Sequence, residues 1–288
     1  MIESVCINGE PVRPAEARVS VFDAGFMQGI GLFETLRTYR RRVFRLDHHL
    51  RRLIASATAL GWANVPRIDV LRENVEQVVD AAPGDDDLRV RLTVTTGAVR
   101  PTDADTPPLT IVASATGEVR YPAECYTKGV TVTLCPYRQN RDDPTAGHKT
   151  TSYYARLAAL RQAHARSAFE SLWFTHSAQL AEGCISTVFV VENERLYTPP
   201  LDTPVLPGVT RAAVIEVAER AGVAVAERTM SPEDVRSADE VFVTSSVMQL
   251  VPVVRIERER VGDETPGDIT RALAEEYHRL VREECGLG

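Results

Sequence analysis

The chain has 288 residues, 44% hydrophobic and 25% charged, which is the usage of a globular protein with one large or two medium domains. Its formal net charge of −7 argues against nucleic acid and anionic membranes as partners, because both need a basic face. No apolar run reaches the roughly 18 residues that span a bilayer, and the N-terminus lacks a signal-peptide pattern. The five cysteines and six histidines are scattered, so we expect reduced thiols in a cytoplasmic protein without a metal site.

Runs rich in β-branched and aromatic residues predict the strands of the first half of the chain. They are Val5 to Ile7, Arg18 to Phe22, Leu32 to Tyr39, its hairpin partner Arg41 to Leu46, Leu88 to Thr96 and Leu109 to Ala115. Apolar residues at helical spacing predict a helix from Asp47 to Gly61, with these two residues as its N-cap and C-cap. A second helix is expected from Pro66 to about Val79.

The second half of the chain alternates strands and helices without an internal repeat. Strands are predicted at residues 130–134, Ser171 to Phe174, Thr187 to Val191 and Val223 to Ala226, and helices from about Ser152, over Thr210 to Ala221 and over Thr265 to Glu284. A polar loop, Arg138 to Gly147, precedes the first of these helices, and Gly117 to Glu124 is typical of a crossing between domains. The mixture predicts an α+β or α/β fold.

Lysine is rare in this sequence. Of the 33 basic residues only Lys128 and Lys149 are lysines, and the other 31 are arginines. A lysine amine can lose its proton and attack a carbonyl, whereas a guanidinium stays protonated. Lys149 lies at the end of the polar loop just before a helix, so we expect it to carry the chemistry. Lys128, in the turn YTKGV, is expected to be dispensable.

Three further segments supply groups that one cofactor would need. Glu182 precedes a β-branched run in AEGCISTVFVV, where a buried carboxylate could keep a pyridine nitrogen protonated. LPGVTR opens a helix whose first free N–H groups, those of Val209 and Thr210, form an anion site. The hydroxyls of Ser245 and Ser246 in VTSSVMQLVPV suit the same anion.

An arginine pair on the first predicted helix adds a clamp for a phosphate. Arg51 and Arg52 fall on different faces of that helix, so one of them can turn inward while the other meets solvent. A guanidinium binds a phosphate dianion in bidentate fashion. An amine, a carboxylate, a helix N-terminus, hydroxyls and an arginine together indicate pyridoxal 5'-phosphate as the cofactor.

At this point the sequence resembles the class IV, or fold type IV, pyridoxal-phosphate enzymes, which include branched-chain aminotransferases, D-amino-acid aminotransferases and aminodeoxychorismate lyases. The matching motifs occur in family order: GLFETLR, HLRRLIASA, HKTTSYY, AEGCISTVF, LPGVTR and VTSSVMQLVPV. The resemblance implies a small N-terminal α/β domain (residues 1–118), a crossing (119–134) and a larger C-terminal domain (135–288), with the cofactor in the interdomain cleft. It also implies a homodimer or higher homo-oligomer.

The resemblance assigns roles to the residues already named. It implies that Lys149 forms the Schiff base and moves the substrate proton, and that Glu182 pairs with the pyridine nitrogen. Arg52, the Val209 and Thr210 amides and a hydroxyl of Ser245 or Ser246 would bind the phosphate. Tyr154 would contact the phenolic oxygen of the cofactor, as in branched-chain enzymes. Thr187 stands where the family usually has Asn, which affects a substrate contact or turn rather than the cofactor site.

The strand RVRLTVTTG bears on which member of the family this is. D-amino-acid enzymes resemble one another in placing Arg before that glycine, where this chain has Thr96, whereas Arg91 falls where branched-chain enzymes carry an arginine. Phe33, Arg89 and Arg91 are the candidate substrate-contacting residues.

We therefore expect a transaminase acting on an amino acid, with branched-chain substrates preferred, and a 2-oxo acid. The alternatives are 4-amino-4-deoxychorismate lyase, for which Arg89 or Arg91 would hold a dicarboxylate, D-amino-acid aminotransferase, and a pyridoxal-phosphate binder without activity.

Overall fold

The computed structural model describes residues 2–99, 108–117 and 120–287, which fall into two compact units. The first unit comprises Met1–Val119, His148–Ser152 and Val281–Gly288, and the second comprises Arg120–Gly147 and Tyr153–Leu280. Lys149 therefore belongs to the first unit, although the chain on both sides of its five-residue segment belongs to the second.

The first unit is built on a six-stranded sheet in which every neighbouring pair is antiparallel, in the order β2-β1-β6-β5-β3-β4. Its elements are β1 Ile2–Ile7, β2 Glu10–Val12, α1 Ala24–Gln28, β3 Gly31–Tyr39, β4 Arg42–Val43, α2 Leu46–Ala59, α3 Ile68–Ala81, β5 Leu88–Thr95 and β6 Thr110–Gly117. A 3-10 turn over Pro14–Glu16 follows β2.

Strand alternation separates the two faces of this sheet. Leu32 and Leu36 of β3 belong to the buried core that also contains the apolar residues of α2 and α3. Phe33 lies on the opposite face of β3, and the antiparallel register places Arg89 and Arg91 of β5 on that same face. The pattern therefore puts the candidate substrate-contacting residues together, away from the helical core.

The second unit contains a nine-stranded mixed sheet in the order β12-β11-β10-β13-β14-β7-β8-β9, with β15 paired to β14. Its elements are α4 Glu124–Thr127, β7 Val130–Gln139, α5 Tyr154–Ala165, β8 Glu170–Thr175, β9 Leu180–Gly183, β10 Thr187–Glu192, β11 Arg195–Thr198, α6 Val209–Arg220, β12 Val225–Glu227, α7 Pro232–Arg236, β13 Glu240–Ser245, β14 Gln249–Ile256, β15 Glu259–Arg260 and α8 Asp268–Cys285. The last residues of α8, from Val281, are grouped with the first unit. None of the helices in the described ranges is both long and apolar enough to cross a membrane.

The strand predicted at Arg18 to Phe22 is wrong. The described part of the chain contains no strand there, and the valines whose alternation suggested one, Val19 and Val21, are exposed. The segment leads instead into α1, whose N-cap Asp23 accepts a hydrogen bond from Gly25 N at 2.8 Å. Alternation alone does not make a strand when no neighbouring strand covers the apolar side chains.

The helix predicted at Asp47 to Gly61 is present as α2, but both predicted caps are wrong. Its N-cap is Arg45, in the left-handed region with φ 52°, so Asp47 lies in the first turn. A negative charge is favourable there because it faces the positive end of the helix dipole. At the other end Leu60 is the cap, and Gly61, with φ 69°, takes the left-handed position that follows it.

Two other predicted segments differ from the structure. The hairpin partner of β3 is only Arg42–Val43, because Leu46 already begins α2. Much of the predicted crossing at 119–134 is ordered secondary structure of the second unit, since it contains α4 and the first half of β7. Residues 118 and 119 lie outside the described part. The other predicted helices and strands are present, with ends displaced by a few residues.

Candidate active site

Lys149 is held in place by backbone pairing with the start of β3. Its carbonyl oxygen accepts a hydrogen bond from Phe33 N at 2.9 Å, and Gly31 O accepts one from Thr151 N at 2.8 Å. The close approach depends on Gly31, because a Cβ there would lie 2.8 Å from Thr151 Oγ1. The lysine backbone therefore has a fixed position, although an irregular loop precedes it.

Two cationic groups lie against the ring of Phe33. The guanidinium carbon of Arg91 is 3.4 Å from the ring centroid, and Lys149 Nζ is 4.6 Å from it. The structure thus brings together three of the predicted residues. Arg89 lies two positions before Arg91 on the same face of β5, opposite Arg37 of β3.

Arg52 is paired with a buried carboxylate that sequence reasoning missed, that of Glu34. Arg52 Nε and Nη2 donate to Glu34 Oε1 and Oε2 at 2.8 and 2.6 Å, and His49 Nδ1 lies 2.8 Å from Oε2. Burial alone would raise the pKa of Glu34, but the charge of Arg52 and the hydrogen bonds from His49 and Arg52 hold it at about 2. Burial lowers the pKa of His49, although its contact with Glu34 opposes that change.

A signal for Glu34 was available in the sequence. It occupies the same face of β3 as Leu32 and Leu36, and a charged residue in an apolar stripe needs a buried partner. The bidentate pair uses two of the five N–H donors of the Arg52 guanidinium. Arg52 is therefore oriented by Glu34, while Arg51 next to it is exposed, as the helix geometry predicts.

Glu182, at the end of β9, is 5% exposed, and both of its oxygens are engaged. Oε1 accepts a hydrogen bond from Arg156 Nη2 at 2.5 Å, and Oε2 accepts one from Leu206 N at 3.1 Å. Arg156 Nη1 also donates to Gly183 O at 3.1 Å. The bond to Leu206 joins the AEG motif to the start of LPGVTR, so the second unit brings two predicted segments together.

The N-terminus of α6 has the properties of an anion site. The helix begins at Val209, and its N-cap Gly208 supplies no side-chain cap, so the first amides of the helix have no intrahelical acceptor. A Cβ on Gly208 would lie 2.9 Å from Thr187 Oγ1, which shows how closely the backbone approaches β10. Helix N-termini of this kind bind phosphate through N–H groups and the helix dipole.

Hydroxyl groups collect beside this helix end. The register of β10 and β13 places Thr187 opposite Thr244, and Ser245 and Ser246 follow directly. Ser245 Oγ accepts a hydrogen bond from Met248 N at 3.3 Å. Within the described ranges, the buried hydroxyls of Thr210 and Thr244 have no hydrogen-bond partner. Such donors suit a ligand rich in acceptor oxygens.

Two neighbouring tyrosines differ in burial. Tyr154, the residue predicted to contact the phenolic oxygen of the cofactor, is the first residue of α5 and is 80% exposed. Its neighbour Tyr153 is the half-buried one, and its hydroxyl donates to Cys184 O at 2.8 Å. Burial raises the pKa of Tyr153.

Another buried carboxylate of the second unit, Glu170, holds the turn after Glu182. Its oxygens accept hydrogen bonds from Ser171 N, Cys184 N, Ile185 N and Ser186 Oγ at 2.8 to 3.1 Å. Burial raises the pKa of Glu170 in spite of these four donors. No pattern in the sequence indicated this role, since the contacts to Cys184, Ile185 and Ser186 join residues 14 to 16 positions apart along the chain.

These features can be compared with known proteins. The family model of the class IV amino-transferases matches residues 31–256. The chain belongs to this family. Relatives of several activities match at about the same similarity, so the match fixes the class of enzyme and the cofactor rather than the substrate.

Three relatives illustrate that spread. A Methanocaldococcus jannaschii protein with a provisional branched-chain-amino-acid aminotransferase name is 30% identical, over 98% of each chain. A D-alanine aminotransferase of Listeria monocytogenes is 29% identical, over 98% of this chain and 97% of its own. An aminodeoxychorismate lyase of Bacillus subtilis is also 29% identical, over 96% of this chain and 94% of its own.

Solved structures of branched-chain aminotransferases share the fold. The Escherichia coli enzyme superimposes with a TM-score of 0.91 at 25% identity, covering 98% of this chain and 95% of its own. The Thermoproteus uzoniensis enzyme with norvaline has a TM-score of 0.88 at 27% identity, covering 99% and 96%. A third branched-chain aminotransferase, solved with pyridoxamine 5'-phosphate, has a TM-score of 0.89 at 25% identity, covering 98% and 94%.

This class IV enzyme has the two-domain fold type IV architecture, and its cofactor is pyridoxal 5'-phosphate. The residues present fit that cofactor. Lys149 offers an amine, Glu182 a buried carboxylate, and the N-terminus of α6 an uncapped anion site with hydroxyls at hand.

Proposed function

We propose that this class IV enzyme is a transaminase that moves an amino group between an amino acid, with branched-chain side chains preferred, and a 2-oxo acid. The observation that carries the proposal is the shared ring of Phe33, with Lys149 Nζ at 4.6 Å and the Arg91 guanidinium at 3.4 Å from its centroid. An amine able to move a proton thus lies near a guanidinium able to clamp a carboxylate. Amino acids and 2-oxo acids both present such a carboxylate.

The chain's own residues have distinct tasks in this proposal. Bound pyridoxal phosphate supplies an electron sink. The amine of Lys149 would hold the cofactor through its aldehyde carbon, and the same amine would take up and return the proton at the substrate Cα. Glu182 holds a proton at the pyridine nitrogen, and we assign to Tyr153, in place of Tyr154, the hydroxyl on the phenolic side.

The phosphate of the cofactor would be held by donors of several segments. We assign it to the guanidinium of Arg52, to the amides of Val209 and Thr210 and to the hydroxyls of Ser245 and Ser246. Support comes from the orientation of Arg52 by Glu34 and from the uncapped start of α6.

A second candidate, 4-amino-4-deoxychorismate lyase, is favoured by the charge of one sheet face. Arg89 and Arg91 lie on the face of β5 away from the helical core, and Arg37 of β3 is opposite Arg89. Three guanidinium groups on one face suit a substrate with two carboxylates. The same face suits a dicarboxylic 2-oxo acid as the acceptor of a transaminase.

The lysine assignment is tested with the chain's two lysines. Lys149→Ala should leave the far-UV circular dichroism unchanged and abolish both turnover and the visible absorbance of lysine-bound cofactor. Lys128→Ala, at an exposed turn, is the matched control and should retain both. Turnover retained by Lys149→Ala, or an absorbance absent from the unaltered enzyme after cofactor is added, would contradict the proposal.

The substrate is tested with a panel of amino donors in both enantiomers, with pyruvate and 2-oxoglutarate as acceptors. Transamination converts the cofactor to its amine form on mixing with donor alone, and we expect the fastest conversion with L-leucine, L-isoleucine or L-valine. Release of pyruvate from aminodeoxychorismate without any 2-oxo acid would instead establish the lyase. Conversion by D-amino acids only would establish the D-specific alternative.

We also propose that the enzyme is a homodimer or a higher homo-oligomer. The support is a set of exposed apolar side chains within and on both sides of α1 in the sequence. They are Val19, Val21, Phe22, Phe26, Met27 and Ile30, with Phe26 71% exposed. Six exposed large apolar side chains within twelve residues are typical of an interface, and a second copy of the chain would cover them.

A further inference from the structure

Glu182 is not a lone carboxylate. Its Oε1 lies 2.5 Å from Arg156 Nη2, and the side chain of Arg156 is only 23% exposed. The contact is therefore a shielded ion pair on helix α5 and strand β9, and such pairs are screened by water much less than surface pairs. The carboxylate assigned to the pyridine nitrogen is therefore already paired with a permanent cation, the guanidinium of Arg156.

Arg156 is held in this position by several groups. Its Nη1 donates to Gly183 O at 3.1 Å, and its guanidinium carbon lies 5.6 Å from the ring centroid of Trp173 and 6.0 Å from that of Tyr153. The aromatic faces and the carbonyl fix the direction of the guanidinium toward Glu182. An incidental surface ion pair would not have its guanidinium held by a carbonyl and two aromatic rings.

The other ionisable groups near Arg156 do not replace Glu182 as its partner. Glu170, the next buried acid, has its oxygens occupied by three backbone N–H groups and Ser186 Oγ. Burial raises the pKa of the Cys184 thiol and of the Tyr153 hydroxyl, so both stay neutral near pH 7. Glu182 is the carboxylate that forms the ion pair with Arg156.

We propose that Arg156 is a positioning residue that acts through Glu182, and that by holding one carboxylate oxygen it weakens the hold of Glu182 on the proton of the cofactor's pyridine nitrogen. The inference rests on the proposed role of Glu182. A protonated pyridine nitrogen is a second cation on the same carboxylate, and like charges disfavour each other. Arg156 thereby moderates the cofactor as an electron sink.

The direction of the effect follows from the charges. With Arg156 present, protonating the pyridine nitrogen adds a positive charge next to an existing one. When Arg156 is replaced by a neutral side chain, Glu182 faces the nitrogen alone and the proton affinity of the nitrogen rises. Nearby charges change such affinities by about one to three pH units, so we expect a shift of about one unit or more.

The test is ¹⁵N NMR of the holoenzyme loaded with pyridoxal phosphate labelled at the ring nitrogen, titrated with pH. Arg156→Gln and Arg156→Met remove the charge, and Arg156→Met keeps an apolar stem against the aromatic rings if Arg156→Gln folds poorly. Arg156→Lys keeps the charge. Arg161→Gln, at an exposed position of the same helix, is the matched control.

We expect the ring-nitrogen signal of both neutral variants to move toward the protonated form, with a titration midpoint about one unit or more higher. Arg156→Lys and Arg161→Gln should stay near the unaltered enzyme. A midpoint unchanged in both neutral variants would overturn the role of Arg156. The absorbance of lysine-bound cofactor is read on the same samples, and its absence from the unaltered enzyme would overturn the proposed function as well.

Discussion

Replacing Glu34 with Gln removes one charge from a buried cluster without changing its shape. The carboxylate of Glu34 is 1% exposed and accepts from Arg52 at 2.8 and 2.6 Å. The pKa of Glu34 is held at about 2, against an ordinary 4.5. At about 1.4 kcal/mol for each pKa unit, this difference corresponds to ~3 kcal/mol of stability. Breaking a buried ion pair by removing one partner costs about 3–5 kcal/mol, which agrees.

The sign of the pH effect follows from the lowered pKa. The contribution of Glu34 is fully present above pH 4.5 and is lost as the pH falls toward 2. At neutral pH we therefore expect Glu34→Gln to lower the free energy of unfolding of the first unit by ~3 kcal/mol. The affinity for pyridoxal phosphate should fall too, because Arg52 loses the group that orients it.

The two tryptophans allow this unit to be followed separately. Trp62 is packed against the core of the first unit, and Trp173 belongs to the second. In a Trp173→Phe background, urea unfolding followed by Trp62 fluorescence measures the first unit. Glu16→Gln, which breaks an exposed ion pair with Arg13, is the control and should change stability by under about 1 kcal/mol. A loss below about 1 kcal/mol for Glu34→Gln would refute the reasoning.

Three further changes should have measurable effects. Burial lowers the pKa of His49 below its ordinary 6.5, so the folded state binds fewer protons and the free energy of unfolding should fall as pH drops through 6.5. In urea titrations at several pH values, His49→Gln should flatten this dependence of the free energy of unfolding on pH. An unchanged pH dependence would contradict the reasoning. Gly208→Ala places a Cβ 2.9 Å from Thr187 Oγ1 and should weaken pyridoxal phosphate binding on the order of tenfold in fluorescence titration. Adding Thr187→Ala should restore much of the lost affinity. Full affinity in the single variant would argue against the α6 site. Phe26→Asp should convert an oligomer to a monomer in size exclusion with light scattering, whereas Ile2→Asp, on β1, should not; an oligomer that persists places the interface elsewhere.

Periodicity predicted the elements whose apolar residues repeat strongly, such as α2 and the strands β3 and β5. It was wrong where local geometry rather than pattern decides. The N-cap of α2 is Arg45 in the left-handed region. Arginine has no preference for that backbone conformation, so the sequence did not indicate it. The valines of the segment before α1 alternate as in a strand, yet no strand in the described ranges pairs with them.

Much of the candidate site was accessible from sequence because its chemistry is unusual for the chain. A rare lysine and a Pro-Gly before a helix point to Lys149 and the start of α6 directly. The partners of these groups were missed because long-range contacts place them: Arg156 lies 26 positions from Glu182, and Glu34 lies 18 from Arg52. A polar residue on a helix or strand carries no mark of its partner, except for Glu34 within an apolar stripe.

The five-residue segment His148–Ser152 is registered by hydrogen bonds to a strand more than 100 residues earlier, and not by the loop that leads to it. The position of the Lys149 backbone is therefore independent of the length of that loop, provided that the loop can still span the gap. Insertions between Asn140 and Gly147 should leave Lys149 on the ring of Phe33. A change at Gly31 that disturbs the ladder would displace it without touching any group that reacts.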